Sequence, residues 1–223
     1  MTTSLSSYLS PLHAYRTDRH IVVPTMSAAR EWMKLGTHPL DFIYAPSAMG
    51  QAPALGLGLA LARPDRQVIV LNGDGCQLMN LGCLVTISAQ RVPNFMLIVC
   101  DNGAYEVTGN QATAATELTR PVDRPVRFAQ IAAGCGIPAT FEFESATDWA
   151  NGLALALSTP GPTVVIWRVA VDATGTVPRS PSPAPARGRQ FASELATRRT
   201  PGDLNGGLRI DAVEALRESR EEH

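Results

Sequence analysis

Three short stretches of the chain, residues 68–71, 95–100 and 163–169, are apolar or β-branched almost without interruption. A strand with one wet face alternates apolar with polar side chains. A strand apolar throughout must be covered on both faces. Segments long enough for helices separate these runs, and a strand–helix succession of this kind folds as an α/β domain. The expected fold is therefore a mostly parallel sheet with helices on both faces. Ligands of such sheets bind at the carboxyl ends of the strands, so the loops after Leu71 and Cys100 become the first places to look for a site.

The other elements follow from local signals. Residues 21–23 are a short apolar run stopped by Pro24, after which Ser27 is placed to cap a helix reaching about Leu35. Residues 42–44 read as a strand, 49–62 as a helix of small residues ended by Arg63-Pro64, and 76–90 as one helix. A polar loop is expected over 101–125, a helix over 126–134, a strand over 140–143 and a helix over 146–158. Residues 1–19 form a partly helical lead-in and 20–172 the folded domain. Residues 173–223 form a Pro- and Arg-rich tail, with Arg187, Arg189, Arg198 and Arg199 in solvent. Ile210, Val213 and Leu216 recur there at the spacing of a short amphipathic helix.

Composition removes several classes of function. Lys and Arg number 19 against 20 Asp and Glu, which gives no basic face for nucleic acid. The longest small apolar run, residues 52–62, is too short to span a bilayer, and the first 20 residues lack the apolar stretch of a secretory leader. The four cysteines form neither a CxxC pair nor a zinc pattern, so reduced thiols in a cytoplasmic protein are expected.

The loop after Leu71 reads Asn72-Gly73-Asp74-Gly75-Cys76-Gln77. Two glycines at a strand-to-helix turn permit close backbone approach to a ligand, and a following helix offers free N–H groups to an anion. A phosphate-binding P-loop would need a Lys that the loop lacks, and Leu78 occupies the position where a dinucleotide fingerprint has its third Gly. What the loop has is Asp74. A carboxylate about 4 Å from a phosphate is repelled by about 4 kcal/mol at an effective dielectric near 20. A divalent cation between the two resolves the conflict, and Mg²⁺ suits a site made of one or two protein oxygens plus phosphate oxygens. The second strand end supplies further candidates in Asp101-Asn102-Gly103-Ala104-Tyr105.

Gly73-Asp74-Gly75 on one strand end with Asp101-Asn102 on the next resembles the motif of thiamine-diphosphate-dependent enzymes. The wider stretch, GDGCQLMNLGCLVTISAQRVPNFMLIVCDNGAYEVTGNQ, looks like the β subunit of sulfopyruvate decarboxylase and the matching domain of phosphonopyruvate decarboxylase. The resemblance runs from about Ile21 to Val169. It implies that Asp74 and Asn102 bind Mg²⁺ through side-chain oxygens and Ala104 through its carbonyl. Gly73, Gly75, Cys76 and Tyr105 would complete the cofactor cradle, with the diphosphate on the N–H groups of Gly75 and Cys76. Ser47-Ala48-Met49-Gly50 is similar to the family's Gly-Ser-Met-Gly. By that likeness Met49 holds the cofactor bent, the Ser47 carbonyl accepts from its amino group, and residues 108–111 form a loop over the diphosphate. The chain departs from the family at Ser47, Ala48 and Cys76, and at Glu106, which adds a negative charge near the site.

The family's activating Glu lies on a separate pyrimidine-binding domain, for which this chain has no room. The resemblance therefore implies a hetero-oligomer, in which an α-type partner supplies that Glu to a decarboxylase of a small 2-oxo acid. A carboligase subunit of the acetolactate synthase kind and a non-catalytic cofactor-binding subunit are the alternatives.

Overall fold

The computed structural model describes residues 3–45, 47–114, 127–172 and 179–197. Among the described residues seven strands are present: β1 (His20–Pro24), β2 (Gln67–Gly73), β3 (Phe95–Asp101), β4 (Ala104–Tyr105), β5 (Gln111–Ala112), β6 (Ala139–Phe143) and β7 (Thr163–Arg168). Five of them form one sheet in the order β1-β2-β3-β7-β6, and each neighbouring pair in it is parallel. The other two make a small antiparallel hairpin beyond the end of β3. The helices are α1 (Leu5–Tyr15), α2 (Met26–Leu35), α3 (Ala52–Ala62), α4 (Asp74–Met79), α5 (Cys83–Gln90), α6 (Phe128–Gly134), α7 (Ala146–Ser158) and α8 (Ala184–Thr197).

The apolar strands are buried on both sides, as their composition requires. Along β2 and β3, Val68, Val70, Leu97 and Val99 face a cluster built with α3, α5, α6 and Phe191 of α8. Their neighbours Ile69, Leu71, Met96 and Ile98 face a second cluster built with α1, α2 and α7. This is the period-two alternation of a pleated strand with apolar residues on both faces.

The second cluster holds all three tryptophans, Trp32, Trp149 and Trp167, each fully buried. Tyr8 of α1 stacks on Trp167 at 5.3 Å between ring centroids, and Trp149 Nε1 donates to the Tyr8 carbonyl at 2.9 Å. The first helix is thus seated in the core through Tyr8, Leu9 and Leu12.

Several elements differ from their sequence reading. Residues 42–44 form no strand: this segment carries only the isolated bridges Val22↔Asp41 and Thr25↔Tyr44, with the Phe42 and Tyr44 N–H groups donating to the Val22 and Pro24 carbonyls. Pro24 has no N–H to extend a ladder, and the Asp41 side chain beside it is held by Arg16, Trp32 Nε1 and the His38 N–H. Thr25, not Ser27, occupies the N-cap of α2. The segment 76–90 breaks into α4 and α5 because Asn80 leaves the helix and its Nδ2 donates to the Gly50 carbonyl at 2.9 Å. Helix α3 starts only at Ala52, because Gly50 has φ +85° and Pro53 belongs in a first turn.

The tail reading also needs correction. Residues 184–197 form α8, whose Phe191 packs on Phe42 at 5.1 Å. Arg187 is buried rather than solvated, and its guanidinium donates to Ser180 Oγ and the Ser182 carbonyl. The helix expected around 210–216 lies outside the described residues.

Helix α3 sits on the sheet through Gly56. A Cβ added there would overlap Val70 Cγ2 and lie 3.2 Å from the Phe95 ring, whereas one added at Gly58 meets nothing within 4 Å. Gly58→Ala should therefore stabilise the protein by about 0.5–1 kcal/mol through helix propensity. Gly56→Ala should destabilise it by about 1–3 kcal/mol through overpacking. Urea denaturation of the pair checks both signs, and equal effects from the two substitutions would contradict this packing.

Candidate functional site

The parallel register sets Gly73 of β2 beside Cys100 of β3. The two chains then diverge. One turns into α4, beginning at Asp74, and the other runs through Asn102 into the β4–β5 hairpin. A cavity of about 820 Å³ opens between these ends and the first turns of α2. Of the nine residues expected at the cofactor site, Met49, Gly73, Asp74, Gly75, Cys76, Asn102, Ala104 and Tyr105 line its wall. Ser47 does not line the wall, but its hydroxyl donates to the sulfur of Met26, which does, at 3.2 Å.

Asp74 is 2% exposed. Its Oδ2 accepts from the Gly103 N–H at 3.0 Å and from the Thr113 hydroxyl at 3.3 Å. Among the described residues no Lys or Arg is paired with it. Burial, helped by the nearby Asp101 carboxylate, pushes its pKa up to about 7. Asp101 is itself displaced upward by burial, against the Arg168 guanidinium that pairs with it. Asn102 Oδ1 accepts from the Ala104 N–H at 2.9 Å, while its Nδ2 donates to Glu106 Oε1 at 2.6 Å.

The cradle depends on glycine at two points. A Cβ on Gly75 would lie 2.6 Å from the Tyr105 ring, so the tyrosine packs directly on the α4 backbone. At Gly50, φ is +85° and a Cβ would come within 3.2 Å of the Cys76 carbonyl, which holds the loop carrying Met49 against α4. Met49 is 45% exposed and Met79 51%, so two large apolar side chains stand at the cavity open to solvent.

The donor set suits a hard cation and a phosphate group. Asp74, the Asn102 amide and nearby carbonyls offer oxygen, the ligand type Mg²⁺ selects. No cluster of three or more His, Cys, Asp or Glu side chains able to hold a metal occurs among the described residues. Cys76 and Cys100 line the cavity, and burial raises both thiols, so neither is a ready thiolate ligand. Gly73 has nothing within 4 Å of a built Cβ, which leaves the strand end free for close approach.

Sequence reasoning missed three parts of this wall, Ser27, Asp172 and the role of Glu106, and also Thr113, whose hydroxyl donates to Asp74. They lie far from the motif in the chain or, for Glu106, carry a charge whose partners only the fold reveals. Of the loop expected over the diphosphate at 108–111, only Thr108 lines the cavity; Gln111 pairs instead with Tyr105 in the hairpin. Residues 115–125, the remainder of the expected polar loop, lie outside the described residues.

Residues 24–167 match the thiamine pyrophosphate enzymes through their C-terminal TPP binding domain. The phosphonopyruvate decarboxylase of Streptomyces viridochromogenes is 37% identical over 179 residues, covering 79% of this chain and 43% of that protein. The sulfopyruvate decarboxylase subunit beta of Methanococcus maripaludis is 34% identical over 155 residues, covering 70% of this chain and 78% of that subunit. The chain thus spans less than half of the first relative and most of the second. The thiamine diphosphate-dependent 4-hydroxybenzoylformate decarboxylase of Rhodococcus jostii RHA1 shares the fold with a TM-score of 0.61 at 21% identity, over 77% of this chain and 33% of that one. With the motif on adjacent strand ends and the match extending over most of the sheet, the chain belongs to the thiamine pyrophosphate enzyme family and carries its TPP binding domain.

Proposed function

We propose that this chain is the cofactor-binding subunit of a thiamine-diphosphate- and Mg²⁺-dependent decarboxylase. Its substrate would be a small 2-oxo acid with an anionic head such as sulfonate or phosphonate, as the names of its relatives suggest. One observation carries the reading. A buried carboxyl with no cation paired to it among the described residues, Asp74, stands at one strand end, with the Asn102 amide at the adjacent end of the same cavity.

Asp74 and Asn102 would hold Mg²⁺ by side-chain oxygens and Ala104 by its carbonyl, with the diphosphate against Gly73, Gly75 and Cys76. The bound cofactor supplies carbanion-stabilising chemistry for loss of CO₂. The chain's own work is to hold and shield it. Asp74 provides the charge that fixes the metal, Tyr105 keeps the Gly75 backbone in place, and Met49 offers an apolar surface to the ring system. An α-type, pyrimidine-binding partner would bring the activating Glu and close the site. The exposure of Met49 and Met79 supports that partition, since large apolar groups at a cavity mouth commonly meet another surface. The length of the M. maripaludis subunit, most of which this chain covers, supports it too. A cytoplasmic location is part of this proposal; no described helix is long and apolar enough to cross a membrane.

Isothermal titration of thiamine diphosphate with MgCl₂ should show metal-dependent binding that Asp74→Ala abolishes; unchanged affinity in that variant would count against the assignment. The pure chain should decarboxylate sulfopyruvate or phosphonopyruvate only after an α-type subunit is added, and full turnover alone would contradict the two-chain reading.

The raised pKa of Asp74 sets a pH dependence. The folded state holds this proton more tightly than the unfolded chain does. Its contribution to ligand-free stability is therefore complete below about pH 4 and is lost as pH rises to about 7. Asp74→Asn should accordingly stabilise the ligand-free protein relative to wild type at pH 8, by up to about 4 kcal/mol, and much less at pH 4. Metal uptake requires the anion, so wild-type affinity for Mg²⁺ with thiamine diphosphate should rise up to pH 7 and then level off. Melting curves and calorimetry across that range test both trends.

A further inference from the structure

Glu106 is a negative charge set beside a site already rich in carboxylates, and it is 7% exposed. Both of its oxygens are engaged. Oε1 accepts from Asn102 Nδ2 at 2.6 Å and from the Asp172 backbone N–H at 2.8 Å, and Oε2 accepts from the Ser27 hydroxyl. These partners come from three walls of the cavity: the exit of β3, the segment after β7 and the first turn of α2.

The contact with Asn102 has a chemical consequence. The two ends of a side-chain amide are nearly identical in shape and opposite in function, since one donates and the other accepts. Glu106 Oε1 already accepts from the Asp172 N–H, and the end of Asn102 that faces it is the NH₂. Oδ1 is thereby turned the other way, where it takes the Ala104 N–H at 2.9 Å and keeps a second lone pair. Were the amide rotated by half a turn, it would offer N–H groups to a cation.

We propose that Glu106 is a positioning residue: by capturing the NH₂ of Asn102 and tying it to α2 and to the segment after β7, it presents the amide oxygen to the divalent cation. This rests on the cofactor reading above and deepens it. Glu106 acts through Asn102 and neither ligates the metal nor moves a proton.

Reach and acceptor capacity are then what matter, and charge is not. In Glu106→Gln, one oxygen can still accept from both Asn102 and the Asp172 N–H, while the new NH₂ donates to a reoriented Ser27 hydroxyl. In Glu106→Asp the charge survives, but the group is one methylene short of Asn102.

The test is titration of Mn²⁺ into the full chain with thiamine diphosphate present. Free Mn²⁺ is followed by its electron paramagnetic resonance signal, and circular dichroism checks each variant for folding. Glu106→Asp and Glu106→Ala should weaken Mn²⁺ binding by about 10- to 100-fold, the usual effect of losing a group that orients a metal ligand. Glu106→Gln should remain close to wild type. A Gln variant as weak as the Asp variant would overturn the proposal in favour of a charge role, and so would an Asp variant that binds like wild type. If Ala fails to fold, the Gln and Asp pair still decides. Failure of the wild-type chain itself to take up Mn²⁺ would overturn the cofactor reading, an outcome visible in a separate arm.

Discussion

The hydrogen-bonded register of β2 against β3 is the constraint on which the site depends. Because the two strands run parallel and end at the same level, their exits lie side by side, and Asp74 and Asn102 leave the sheet into one cavity. An antiparallel pairing would have put them at opposite ends. The same arrangement brings Asp74 near Asp101, and the fold answers that repulsion unevenly. Asp101 receives Arg168, whereas Asp74 receives only neutral donors among the described residues, and its pKa is raised. Burial makes the anion at Asp74 costly, and carboxyls perturbed in this way cluster at functional sites.

Much of this was legible in the sequence because the signals were local. Val68, Ile69, Val70 and Leu71 needed cover on both faces, and the helices on either side follow from that need alone. Gly73-Asp74-Gly75 announced a tight turn with a carboxyl in it. Failure came where long-range contacts outweighed local pattern. Residues 76–90 look like one helix until Asn80 finds the Gly50 carbonyl, thirty positions back. Residues 184–197 look like tail, since three arginine and proline positions mask one aromatic anchor, Phe191. The fold supplies the surface on which that ring packs, and the helix follows from the packing rather than from propensity.

The site shows the same division. The residues expected from the motif stand together on the cavity wall. Those that hold the motif in place, Thr113 under Asp74 and Glu106 beside Asn102, could not be recognised, because nothing in the spacing says which donors a buried oxygen will meet. Glu106 was visible only as an excess of negative charge. Once its partners are known, the charge is seen to be shared among an amide, a hydroxyl and a backbone N–H.

The three tryptophans all lie on one side of the sheet, packed with α1, α2 and α7. Tryptophan emission from this protein is therefore a one-sided reporter. It will register loosening of the first helix or of α7, and it will be nearly blind to rearrangements of α3, α5 or α8 on the opposite face. A spectroscopist who sees a single sharp indole transition has watched half of the molecule, and an optical probe placed on α5 would be needed to learn whether the other half melts with it.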